Sequence, residues 1–78
     1  MHSIEKHIAN LLRQFFYKHE GDFSLEINKE ITEYINQHSY IHFDNLQVNC
    51  TRQKNIFSGF IKSKCLTESL LFEIIIKT

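Results

Sequence analysis

Ile4, Ile8, Leu11, Leu12, Phe15 and Phe16 recur three and four residues apart near the start of the chain. That spacing lines up one apolar stripe on an α-helix and predicts a helix over about residues 3–19. Ser3 is placed to cap its start by accepting a hydrogen bond from a free backbone N–H. Glu5 suits the positive end of the helix dipole, and Lys18 and His19 suit the negative end. Gly21 supplies a left-handed stop.

The next segment supports two patterns. Phe23, Leu25 and Ile27 alternate as in a half-buried strand, whereas Ile27, Ile31, Tyr34 and Ile35 follow a helical stripe. The first pattern gives a short strand over about 22–27 and a helix capped by Asn28; the second gives one helix over about 24–38, capped by Asp22 or Ser24. The continuous helix accounts for more of the positions. It places Glu26, Glu30 and Glu33 together on its solvated face.

After His38 the chain is rich in β-formers. Ile41 and Phe43 share one face, and Leu46, Val48 and Cys50 alternate in a shifted register, so Asp44-Asn45 marks a bulge or turn between them. Strands are expected over about 46–51 and about 56–64, joined by the polar stretch Arg52 to Asn55, with Gly59 as a weak point or bulge. Lys64 to Glu68 turns again. Leu70, Phe72, Ile74 and Ile76 then alternate with Leu71, Glu73, Ile75 and Lys77. This last strand is apolar on both faces, which predicts a central position or cover at a subunit interface, with Leu71 and Ile75 as the interface residues. The expected fold is α+β: two N-terminal helices packed on a C-terminal three-stranded antiparallel meander, as one domain over residues 1–78.

Composition narrows the class. Seven Phe and three Tyr among 78 residues supply enough bulk for a core, although a thin one. The net charge is zero, unlike that of a globally basic nucleic-acid binder. No apolar run approaches the roughly 20 residues that span a bilayer. Glu5 and Lys6 interrupt any signal-peptide pattern, so the expectation is a cytoplasmic protein without membrane contact. Cys50 and Cys65 are then expected to be free, with a disulfide as the alternative if the strands oppose them. Asn49-Cys50-Thr51 fits the glycosylation pattern, but without an export signal the match carries no weight.

Candidate chemistry is sparse. His38 and His42, with Cys50 and Cys65 downstream, supply the four side chains of a Cys2His2 zinc site, but the cysteines are too far apart in sequence for the usual paired ligands. His2 and His7 form a looser pair that shares no helix face. The two glycines make no phosphate loop, and nothing in the spacing sets a Cys or Ser beside a base held by a third group. No enzyme and no cofactor are expected.

Charge is distributed unevenly. Between Glu20 and Glu33 five acids stand against Lys29, and between Arg52 and Lys64 there are four bases and no acid. The leading expectation is a small protein-interaction module, a regulator, inhibitor or complex subunit, whose acidic stripe of Glu26, Glu30 and Glu33 meets another protein. Homodimerisation through a strand edge or the apolar face of the last strand is a linked expectation. The alternative is a nucleic-acid-binding accessory protein in which Arg52, Lys54, Lys62 and Lys64 contact phosphates and Phe57 or Phe60 stacks on bases. On a hairpin the two basic pairs would lie roughly 25 Å apart, so they could track a backbone without forming one compact site.

Overall fold

The computed structural model describes residues 4–19 and 25–76. Helix α1 (Ile4–His19) and helix α2 (Ile27–His38) precede three strands, β1 (Gln47–Gln53), β2 (Ile56–Lys62) and β3 (Leu70–Ile75). The strands form one antiparallel sheet in the order β1-β2-β3. The arrangement is the α+β fold expected from the periodicity.

Helix α1 buries Ile8, Leu11, Leu12, Phe15 and Phe16, all on its predicted stripe, and Ile4 is half-buried. Its proposed cap, Ser3, and its proposed stop, Gly21, lie outside the described residues. Helix α2 begins at Ile27, later than about 24, because Leu25 and Glu26 form a turn. Leu25 is fully exposed there, so neither the strand nor the longer helix reaches it. Asp22, Phe23 and Ser24 lie outside the described residues. Ile31 and Ile35 face the core from α2, and Tyr34 stands edge-on to Phe15 with ring centroids 5.6 Å apart.

The sheet register assigns every strand residue a face. Phe57, Gly59 and Ile61 of β2 pair with Arg52, Cys50 and Val48 of β1, and with Ile74, Phe72 and Leu70 of β3. This face lies under the helices: Phe57 and Ile61 are fully buried, and the Phe16 and Phe57 rings meet at 4.9 Å. Full burial of such a side chain stabilises by about 1.5–3 kcal/mol. The helices and the inner sheet face share one core, which Phe43 joins from the loop before β1.

Several expected boundaries move. Asp44-Asn45 is a turn, with Asn45 at a φ of 50°, and β1 starts only at Gln47. The β1–β2 connection shrinks to Lys54-Asn55, with Lys54 at a φ of 59° and Arg52 Nε donating to the Lys54 carbonyl at 2.8 Å. Gly59 makes no bulge, since the register runs through it unbroken on both sides. Its missing side chain serves close approach instead: a Cβ there would collide with the Asn49 carbonyl. β2 ends at Lys62, and Lys64 belongs to the following turn, where its N–H and the Ser63 hydroxyl both donate to the Asp44 carbonyl. β3 is an edge strand rather than a central one, because the meander ends with it among the described residues.

Candidate docking surface

The sheet face turned away from the helices carries Gln47, Asn49, Thr51 and Gln53 on β1, Ile56, Ser58, Phe60 and Lys62 on β2, and Leu71, Glu73 and Ile75 on β3. The β1 part is polar and exposed. The part shared by β2 and β3 is apolar, since Ile56 pairs with Ile75 and Phe60 with Leu71. Leu71 is 78% and Ile75 57% exposed, while Ile56 and Phe60 are half-buried. Scattered exposed apolar residues are ordinary, but here two apolar cross-strand pairs share one face, with a single polar pair between them. Between them stands Glu73, opposite Ser58. Among the described residues the Glu73 side chain has no hydrogen-bond or ion partner.

The sheet edges differ as well. On β1 the Cys50 N–H points away from β2 and donates to Asn28 Oδ1 at 2.7 Å, so α2 covers that edge. Asn28 was a possible helix cap on sequence; inside the first turn of α2 it satisfies a strand instead. On β3 the alternation of an antiparallel ladder decides which groups face outward. The Ile76 N–H donates to the Asn55 carbonyl at 2.9 Å, at the end of the β2–β3 ladder away from the connection between them. The backbone groups of Ile74, Phe72 and Leu70 therefore face β2, and those of Leu71, Glu73 and Ile75 face the open edge. Among the described residues no strand pairs with it.

The other candidate residues do not assemble in this way. Glu33 is exposed on α2, but Glu26 and Glu30 are each engaged within the chain, so the acidic stripe is not a row of three free carboxylates. Phe57 is 2% exposed and is not available for stacking on a base. Arg52 holds the hairpin turn and lies 5.5 Å from the Phe57 ring centroid. Lys54 is at that turn, Lys62 at the far end of the hairpin, and Lys64 in the turn beyond it, so the four bases form no single patch. Lys62 and Phe60 do share the outer face, with the ammonium 5.2 Å from the ring centroid.

The four residues of the zinc alternative do not converge, although the Cys65 thiol donates to the His42 carbonyl at 3.6 Å. His38 packs on Tyr34 at 4.2 Å, and His42 pairs with Asp44 at 3.0 Å on the surface. Cys50 is buried and Cys65 exposed, and both are free thiols. Burial pushes the Cys50 thiol up from 9.0 to about 11. Among the described residues no three His, Cys, Asp or Glu side chains come together to hold a metal. His2 lies outside the described residues, and its loose partner His7 has another contact. His7 Nε2 is 2.9 Å from Ser39 Oγ, with Tyr40 against the imidazole at 4.1 Å. This resembles a nucleophile–base pair, but Ile41 N–H also donates to that hydroxyl at 3.0 Å. No third group among the described residues orients His7, and the contact ties α1 to the end of α2.

Among the described residues no helix is long and apolar enough to cross a membrane. Comparison with protein families, with curated proteins and with solved structures yields no match to this chain.

Proposed function

We propose that this chain is a small non-enzymatic protein-interaction module that binds another protein through the open side of β3. The observation that carries this reading is the apolar strip of Ile56, Phe60, Leu71 and Ile75 on the sheet face away from the helices, lying against an unpaired strand edge. Apolar area beside an open strand edge favours association, because the apolar surface leaves water while the edge N–H and C=O groups exchange water for a partner's backbone. A module of this kind acts as a regulator, inhibitor or complex subunit by occupying its partner's surface. The acidic stripe on α2 has only a secondary part, through Glu33.

The nucleic-acid reading keeps one supporting observation, the pairing of Lys62 with Phe60 on the same outer face. Capture of partners by the wild-type chain and by a Leu71→Lys/Ile75→Lys variant, with and without nuclease, separates the two. Both positions are exposed, so the variant keeps its fold. A protein that survives nuclease and is lost with the variant is the expected result. Retention of every partner by the variant overturns the surface assignment, and loss of all signal with nuclease favours nucleic acid.

A further inference from the structure

We infer that the open edge of β3 accepts an extended segment of another protein as a fourth, antiparallel strand, and that this segment carries a Lys or Arg opposite Glu73, flanked at alternate positions by apolar residues. The inference rests on the docking reading above and names the partner's chemistry. Leu71, Glu73 and Ile75 present outward backbone groups and outer-face side chains together. An added strand would complete the ladder through the same three residues whose side chains it meets. Directly opposed residues of an antiparallel pair lie about 4.5–5.5 Å apart, so the residue facing Glu73 decides whether that carboxylate is matched or repelled. Apolar residues facing Leu71 and Ile75 would cover the exposed parts of both. Residues of the other parity would lie beside half-buried Phe72 and Ile74 on the inner face.

Glu73 also argues against two other occupants. A second copy of β3, centred so that Leu71 meets Ile75, would set Glu73 against Glu73, and like charges directly opposite are destabilising. A phosphate backbone would meet the same carboxylate in the middle of the strip.

The test uses the full chain and two synthetic nine-residue peptides. Each has Ile two residues to either side of its centre and Val between, with Lys at the centre of one and Glu at the centre of the other. The Lys peptide is expected to bind about five- to tenfold more tightly than the Glu peptide, the range that matched against opposed cross-strand charges give. In Glu73→Lys, an exposed substitution outside the core, the preference should invert. Amide hydrogen exchange should slow at Leu71, Glu73 and Ile75 when peptide is bound.

Equal affinity for both peptides, with those amides protected, overturns the charge match and leaves the docking surface standing. Failure of both peptides to bind, while Leu71→Lys/Ile75→Lys still abolishes partner capture, overturns strand addition alone. Slow exchange at the three amides in the free monomer means that the edge is closed, and both readings fall. Protection that grows with protein concentration, and grows further in Glu73→Gln, makes a second copy the occupant and overturns the inference.

Discussion

Strand β1 meets helix α2 along its outer edge, where Asn28 accepts from the Cys50 N–H; among the described residues strand β3 meets no strand along its own. The same contrast runs through the thickness of the sheet. Phe57 and Ile61 are closed under the helices, while Phe60, on the same strand, shares the open face with Leu71. A strand edge is a liability unless it is covered or used. This chain covers one edge with a side chain from a distant helix and lines the other with apolar residues. That difference separates the part of the sheet that the fold itself closes from the part it leaves exposed.

The largest effect should come from the two faces of β2. Phe57→Ala is expected to cost about 3–5 kcal/mol, and Phe60→Ala under about 1.5 kcal/mol, because only the first leaves a cavity in packed surroundings. Chemical denaturation of both variants measures it, and equal losses would erase the distinction between covered and open faces.

A smaller effect tests the covered side through pH. The Cys50 thiol ionises near 9.0 when unfolded and only near 11 when folded. Its contribution is complete below pH 9 and is lost as pH rises through 11, with a total on the order of 2 kcal/mol. The difference in alkaline stability between wild type and Cys50→Ala should follow that window, while exposed Cys65 reacts first with a thiol reagent. A flat difference would place Cys50 in water.

The smallest effect concerns the edges. Asn28→Ala should destabilise by about 1 kcal/mol, the usual net value of one hydrogen bond. Exchange at the Cys50 amide should quicken while exchange along β3 stays unchanged. If β3 responds as much as β1, the two edges are not independent.

The helices and the strand order were legible in the sequence because α1 carries one clear helical period, Ile31, Tyr34 and Ile35 continue another, and the chain after His38 is rich in β-formers separated by short polar stretches. The site was legible only in part. Leu71 and Ile75 stood out from the alternation of β3, but Phe60 was not read as part of their face and entered as an alternative to Phe57 for stacking on bases. The reason lies in β2, where Ile56 and Phe60 on one parity and Phe57 and Ile61 on the other are equally apolar. Alternation cannot then say which set is inside; the register to β3 decides it. Asn28 read only as a possible helix cap; its bond to β1 gave no signal, since its partner Cys50 lies 22 residues away and the bond goes to a backbone N–H. The four bases misled for the opposite reason: close in sequence, they are divided between the two ends of a hairpin and the turn beyond it.

The order β1-β2-β3 also bears on how fast the chain folds. Each strand pairs with its immediate neighbour in sequence, across a two-residue turn in one case and a short loop in the other. Loop-closure entropy grows with the length closed, so such a meander has a low contact order and a small entropic barrier. Forming the sheet is then the quick part. The slower step is bringing α1 against Phe57 and Asn28 against β1, which joins segments far apart in the chain and completes the core only when both arrive.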